Sequence, residues 1–433
     1  MPARKTALSA LIACRTSGAW SDAVLKDYME AAGLSQKDAG LCTTLCCGVL
    51  QNRALLDYYI DSFLTGRKRL PPALRDILRL AVYQILFLDR IPDSAAVNEA
   101  VNMAKKQFSQ REAGLVNGVL RNLLRNKDTL TPPRDYHIRY SHPSELVDLM
   151  KESVGKKLEP VLQADNSSPE TTAQRNTLQC TQEELLEQWQ EEGVVYQAHS
   201  WLKDCWTIKN TGNIAKLPSF QRGLFQIQDP AARLSVDVLS PQPGWSVLDL
   251  CSAPGGKSMA AAMHMKNTGK IISCDVHGGK LPQIEAAAKR LGASIVTTME
   301  NDGALFRPEF EGKFDAVIAD VPCSGLGVIR KKPDIRYKNI KDMEALPQLQ
   351  LEILSQGAKY VKAGGCLLYS TCTILKRENE AVVQAFLAQN SGFSLEELKL
   401  PEGLTPQDTG MLTLYQGIHD CDGFFLCLMR KRQ

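Results

Sequence analysis

Two short stretches put reactive side chains at the ends of what read as β-strands. Asp320-Val321-Pro322-Cys323-Ser324-Gly325 follows an apolar run from Ala316, and Tyr369-Ser370-Thr371-Cys372-Thr373 closes a run from Leu367. A carboxylate can hold or move a proton and a thiolate can attack carbon, so one Asp and two Cys form a candidate catalytic set. In an open α/β sheet the carboxyl ends of the strands line one crevice, where Asp320, Cys323 and Cys372 can converge. The competing account is that two of the 13 cysteines fall there by accident. The flanking Pro and Thr and the shared location count against it.

A further strand-like run, Val247-Leu248-Asp249-Leu250, leads into Cys251-Ser252-Ala253-Pro254-Gly255-Gly256-Lys257-Ser258 and then an Ala-rich helix. A tight glycine turn between strand and helix lets backbone approach a ligand and aims the helix N-terminus at it. Three ligands compete. A P-loop needs Gly-x-x-x-x-Gly-Lys-Ser; Gly256-Lys257-Ser258 fits its tail, but Cys251 occupies the leading glycine position. A dinucleotide fingerprint, G-x-G-x-x-G, is absent. The third is a nucleoside without a phosphate chain, such as S-adenosylmethionine. Asp275 ends the next strand signal twenty residues beyond Gly255, where doubly wound folds place a carboxylate for ribose hydroxyls. Asp302 follows the third strand signal, within reach of the adenine end. Each aspartate alone could be a strand-end cap; appropriate strand ends taken jointly make chance a poor explanation.

Such groups need alternating strands and helices to hold them. From about Ala231 onward strand signals at Val247–Leu250, Ile271–Val276, Ser294–Thr298, Ala316–Asp320 and Leu367–Ser370 alternate with helical intervals, which predicts a doubly wound α/β sheet. Met411–Tyr415 and Phe424–Met429 read as a hairpin adding an antiparallel edge strand. Residues 1–140 read as all-helical, with apolar residues at three- and four-residue intervals through Leu41–Ile60, Leu74–Leu88, Ala95–Phe108 and Leu115–Leu124. Breaks fall at Gly33, Gly66, Pro71-Pro72, Pro92 and Pro132-Pro133. Leu8, Leu11 and Ile12 recur at helical spacing, so the N-terminus reads as an amphipathic helix rather than a signal peptide. Residues 141–230 mix helix with short β-like pieces such as Trp206-Thr207-Ile208, a small α+β connector.

The chain's 433 residues are too many for one ordinary core, so three domains are expected: 1–140, 141–230 and 231–433. Residues 1–140 hold 20 basic and 13 acidic residues, whereas the whole chain is only +3. That excess, densest at Arg67-Lys68-Arg69 and at Arg121, Arg125 and Lys127, suits a phosphate-binding accessory module, or equally a set of solvated helix faces. Cys42, Cys46 and Cys47 share a helix without a nearby histidine and read as core rather than metal ligands. No metal is expected. The odd cysteine count without a CxxC pair points to free thiols in a reducing cytoplasm. No apolar run approaches the ~20 residues of a membrane span. A monomer is the simpler expectation.

Taken together, LDLCSAPGGKS, DVPCSGLG and STCTI resemble the RNA cytosine-C5 methyltransferases of the NOL1/NOP2/Sun family, over roughly residues 160–433. A helical N-terminal domain of this length is similar to the NusB-like RNA-binding domain of the RsmB (Sun/Fmu) group, which modifies a cytosine of bacterial 16S rRNA. The resemblance implies a Rossmann-like methyltransferase sheet, S-adenosylmethionine as cofactor, and 16S rRNA or a small-subunit assembly intermediate as partner. It implies Cys372 as nucleophile on cytosine C6, Cys323 as the residue assisting release, and Asp320 at N3 and the methyl-transfer end. It further implies Cys251, Ser252, Ala253, Pro254, Gly255, Gly256 and Lys257 as the cofactor loop, with Asp275 at the ribose and Asp302 near the adenine. The same reaction on tRNA, or a non-catalytic antitermination-like RNA-binding factor, are the alternatives. Where the family carries Arg-x-Asn-Thr, this chain has Gln174-Arg175-Asn176-Thr177, with the arginine displaced by one place. Gly223-Leu224-Phe225-Gln226-Ile227-Gln228-Asp229 matches the family's Gly-x-Phe-x-x-Gln-Asp and is expected beside the cofactor.

Overall fold

The computed structural model describes residues 2–17, 21–64 and 69–433; Gly66, Arg67 and Lys68, singled out above, lie outside them. Two compact units emerge. One comprises Met1–Glu152, Leu162–Ser167 and Ile329–Lys338; the other comprises Ser153–Val161, Ser168–Val328 and Asn339–Gln433.

The first unit is helical. Its helices include Pro2–Ser17, Gln36–Gln51, Arg53–Ser62, Pro72–Phe87, Asp93–Gln107 and Gln110–Arg125. Local signals set their ends. Ser35 accepts the N–H of Asp38, Ser109 those of Arg111 and Glu112, and Pro72 occupies the first turn of its helix. The apolar periodicity through Leu41–Ile60 divides at Asn52, whose side-chain amide donates to the carbonyl of Gly48 at 2.9 Å and ends the first helix there. Leu8 and Leu11 are buried, as the amphipathic reading requires, and Cys42 and Cys46 sit fully inside the core.

An insertion from far along the chain completes this unit. Arg336 is 1% exposed. Its guanidinium donates to the carbonyls of Gln51 (2.8 Å), Tyr140 (3.2 Å) and Asp165 (3.1 Å) and to Asn166 Oδ1 (2.8 Å). Arg53 stacks on the Tyr337 ring at 3.8 Å.

The second unit carries two sheets. The smaller, β1 (Thr171–Arg175), β2 (Val195–Ala198), β3 (Cys205–Lys209) and β4 (Phe225–Ile227), is antiparallel in the order β2-β3-β1-β4. Helix Gln182–Glu191, closed by a Thr181/Glu184 capping box, buries Trp189 against Trp206 and Phe225. Gly223 (φ +73°) lies so close to the Arg290 carbonyl that a Cβ there would stand 1.9 Å from its oxygen. Only glycine fits.

The larger sheet contains β5 (Ser246–Asp249), β6 (Lys270–Asp275), β7 (Val296–Glu300), β8 (Phe314–Asp320), β9 (Val361–Thr371), β10 (Phe393–Leu395), β11 (Met411–Leu414) and β12 (Phe424–Lys431). Its order is β10-β12-β9-β8-β5-β6-β7, parallel from β9 to β7, with β11 also on β12. Alternate residues feed two cores: Val247, Ile271 and Ile318 face one, Leu248, Ile272 and Val317 the other. This is the expected doubly wound sheet. The hairpin is confirmed, with one correction: β12 is not the edge. It pairs antiparallel with β9 throughout, and the short strands β10 and β11 cover its outer side. Among the described residues no helix is long and apolar enough to cross a membrane.

Candidate active site

Register brings the two reactive stretches together. Asp320 of β8 and Ser370 of β9 are paired residues of adjacent parallel strands, so Cys323 and Cys372, three and two residues further, leave the sheet side by side. The loops are then pinned. Val321 N–H donates to Ser370 O (3.1 Å), Gly327 N–H to Cys372 O (3.0 Å), and the Ser324 and Thr373 hydroxyls share a 2.7 Å hydrogen bond. The Cys323 and Cys372 sulfurs lie 3.3 Å apart, both half-buried.

That contact makes the two thiols unequal. Cys372 is held below the ordinary thiol range, first by the hydrogen bond it receives from Cys323; Lys257 also favours its thiolate, against burial and the Asp320 charge. Cys323 is pushed well above that range by the bond it gives, by burial, and by the charges of Cys372, Glu378 and Asp320. Asp320 accepts from Lys257 Nζ at 2.6 Å and from Ser370 Oγ at 2.7 Å. The Lys257 ammonium also lies 5.2 Å from the centre of the Phe424 ring.

Switching from β5 to helix Gly256–His264 takes the chain through Gly255 at φ +100°, a conformation glycine adopts without strain. Ser252 N–H and Oγ both donate to Cys274 O (2.7 and 2.9 Å). Ala253 N–H reaches Asp275 Oδ2 at 3.3 Å, which ties the turn to the end of β6. The cleft so formed, about 220 Å³, is lined by Gln228, Asp229, Asp249, Cys251 to Pro254, Gly256, Lys257 and Asp320, among others. Cys251 and Cys274 are poor nucleophiles, because burial pushes both thiols up, Cys274 to about 12.

Asp320, Lys257 and most of the turn from Cys251 line this cleft, with Asp275 hydrogen-bonded to its wall. Cys323 and Cys372 are not among its lining residues, but the Asp320 charge acts on both thiols and the Lys257 charge on Cys372. Asp302 stands apart. It is exposed, follows β7, and accepts the Ala304 N–H at 2.9 Å; next to it, the Cβ position of Gly303 is 3.8 Å from Cys251 Sγ. Gln228 and Asp229 line the cleft as expected. Arg175 is committed elsewhere, donating to Asp204 Oδ1 (2.8 Å) and Cys180 O (2.8 Å). Asn176 ties the segment after β1 to the turn before β4 and to the end of helix Leu281–Leu291 by donating to Gly223 O and Leu291 O, both at 2.8 Å.

Sequence reasoning missed three participants, Ser370, Asp422 and Asp249, and placed Lys257 in the cofactor loop without its ion pair to Asp320. Ser370 and Lys257 hold Asp320. Asp422 adds negative charge near Cys372, and its N–H donates to the Asp229 carboxylate (3.2 Å). Asp249 is fully buried at the end of β5. Its Oδ2 accepts from Ser258 (2.7 Å), its Oδ1 has no partner, and burial raises the carboxyl to about 7. A charged residue closing an apolar strand was the available signal.

Comparison with known proteins gives matches along the whole chain. Residues 236–430 match the family model for 16S rRNA methyltransferase RsmB/F, residues 1–125 that of the NusB family, and residues 142–215 the RsmF/B-like ferredoxin-like domain. A probable ribosomal RNA small subunit methyltransferase B of Bacillus subtilis is 37% identical, covering 99% of this chain and 98% of its own. Ribosomal RNA small subunit methyltransferase B of Escherichia coli is 31% identical over 92% of both. The crystal structure of PH0851 aligns with 100% of this chain and 99% of its own, at TM-score 0.80 and 28% identity.

Proposed function

The chain belongs to the 16S rRNA methyltransferase RsmB/F family, and from that premise we propose that it methylates C5 of a cytosine in 16S rRNA through a covalent Cys372 adduct. The substrate is the RNA or a small-subunit assembly intermediate in the cytoplasm. S-adenosylmethionine fits the cleft's chemistry. Asp249 offers a buried, partnerless carboxylate oxygen toward a cation, Asp275 a carboxylate at the wall, and the turn from Cys251 to Lys257 backbone donors and an ammonium. When bound, the cofactor supplies an electrophilic methyl group.

The chain's own residues do the rest. Cytosine C5 is too electron-poor to accept a methyl directly; addition of the Cys372 thiolate to C6 turns the ring into an enamine with nucleophilic C5. Asp320, oriented by Lys257 and Ser370, accepts a hydrogen bond from the N3–H of a ring that takes a proton from solvent at N3 as the thiolate adds, and so stabilises the adduct. Once C5 carries the methyl group, loss of the C5 proton re-forms the double bond and expels Cys372, with Cys323 assisting release. The target base must leave its stack to be reached by these groups. The NusB-like helical domain supplies RNA contacts that carry no base chemistry.

One observation carries this reading: two thiols 3.3 Å apart, one biased toward thiolate and its neighbour toward thiol, beside a lysine-held aspartate. Cys372→Ala should abolish methyl transfer from labelled cofactor to small-subunit rRNA, whereas Cys323→Ala should accumulate a protein–RNA adduct stable to denaturing electrophoresis. Full activity of Cys372→Ala refutes the mechanism. Bisulfite sequencing of rRNA and tRNA from a deletion strain identifies the substrate.

A further inference from the structure

A buried carboxylate outside the motifs braces the loop that carries Cys323. Glu378 is fully buried, in the short 3₁₀ turn Lys376–Glu378 just after Cys372. Its Oε2 accepts from the Ser324 N–H at 2.9 Å and from Gln350 Nε2 at 2.9 Å, and the same Gln350 amide donates to Pro322 O at 2.9 Å. The residues on both sides of Cys323 are therefore fixed by one Glu–Gln pair. Asn379, the next residue, holds the other loop: its Nδ2 donates to Thr373 O (3.0 Å) and its Oδ1 accepts from Thr371 (2.6 Å).

Bracing alone does not require a carboxylate. The second oxygen of Glu378 is buried without a hydrogen-bond partner, which is costly for a charged group. A neutral amide could accept the same two donors. What only a negative charge does here is oppose a second negative charge nearby. The titratable and charged groups acting around Cys323 are Cys372, Glu378, Asp320 (paired with Lys257) and Tyr369. Of the two carboxylates, Asp320 has its charge met by Lys257.

Resting on the assignment of Cys372 as nucleophile, we propose that Glu378 is a positioning residue that keeps Cys323 in its S–H form, braced against Cys372, so that one thiol of the pair ionises and the other does not. The test is pulse alkylation of the full-length protein with iodoacetamide over a pH series, read at each cysteine by mass spectrometry. In Glu378→Gln the Cys323 profile should move down by about one pH unit, while Glu378→Asp, which keeps the charge, should stay with the wild type. With rRNA as substrate, Glu378→Gln should lower kcat with little change in KM. A folded Glu378→Gln whose Cys323 profile is unmoved overturns the proposal. A measurement that leaves Glu378 intact guards against misfolding of that variant: in Cys372→Ser, Cys323 should still titrate above the ordinary thiol range, and a return to that range refutes the role equally. These profiles are independent of turnover, so a wild type that fails to methylate rRNA would sink the catalytic reading and leave the Glu378 result standing.

Discussion

Replacing Asp249 by Asn isolates one charge in the wall of the cleft beside the glycine turn. In the folded chain the carboxyl is fully buried, and its pKa is raised from 3.8 to about 7, chiefly by loss of water and only partly offset by the Ser258 hydrogen bond and the Lys257 charge. At about 1.4 kcal/mol per pH unit, that difference corresponds to roughly 4 kcal/mol. The sign follows from proton linkage. Below the unfolded value both states are protonated and the group contributes nothing adverse. As pH rises, the unfolded chain ionises first, and the folded state loses stability until Asp249 ionises too, near 7. Asn keeps an acceptor for Ser258 and removes the titration. Urea unfolding of wild type and Asp249→Asn, followed by tryptophan fluorescence at matched pH, should give curves that separate progressively between about pH 4 and pH 8, the variant gaining up to about 4 kcal/mol. Taking the difference cancels every other titrating group. A constant offset across that range refutes the reasoning. A cation in the cleft favours the ionised carboxylate. S-adenosylmethionine affinity should therefore climb with pH through neutrality in the wild type, less so for S-adenosylhomocysteine, which lacks the sulfonium charge, and stay flat in the variant.

Gly223→Ala forces a Cβ to within 1.9 Å of the Arg290 carbonyl at a residue with φ +73°; the unfolding midpoint should fall, with a cost of about 3 kcal/mol or more. Because Gln228 and Asp229 follow on the same segment and line the cleft, calorimetry should also show weaker cofactor binding; unchanged affinity would separate the two sheets functionally. Arg336→Met strips a buried guanidinium from several carbonyl acceptors and should destabilise the helical unit by about 3–5 kcal/mol, seen as earlier proteolysis of that unit with cofactor binding intact. Arg336→Lys should not rescue it, since one ammonium cannot reach the acceptors a guanidinium fork spans.

The parts of the fold that could be read in the chain are those where a repeating pattern coincides with burial. Strands β5, β6 and β8 are built on short apolar stretches, Val247-Leu248, Ile271-Ile272 and Ala316 to Ala319, and end in Asp249, Asp275 and Asp320; they emerge where expected. β9 was read only from Leu367, because Ala363-Gly364-Gly365 breaks the apolar run; it begins at Val361, with Gly364 at φ +74° and a register shift opposite Phe314. β10 has three residues, too few for any periodicity. The insertion at Ile329–Lys338 was hidden for another reason. Arg330-Lys331-Lys332-Pro333-Asp334 looks like a solvated loop, yet Arg336 is buried because its acceptors are backbone carbonyls, and every residue has one.

The assignment of roles within the cysteine pair shows where sequence reading stops. Pro-Cys and Thr-Cys each follow a strand, and spacing alone places both sulfurs in the crevice without ranking them. Rank depends first on the hydrogen bond between the sulfurs and on burial, and then on the charge each sulfur faces. Lys257 sits on the helix after the glycine turn and acts on Cys372; Glu378 sits past β9 and acts on Cys323. Neither is adjacent to its target in sequence, and both effects run through space at low dielectric, where a single charge outweighs any local propensity. These charges add to the larger effect of the hydrogen bond between the sulfurs, which stabilises one thiolate and holds the proton on the other. Removing that donor by Cys323→Ala should therefore leave Cys372 less acidic, because the hydrogen bond across the 3.3 Å gap is lost. The alkylation profile of Cys372 would shift up in that variant; a profile that shifts down would show that the thiol proton of Cys323 is not what holds the nucleophile ready.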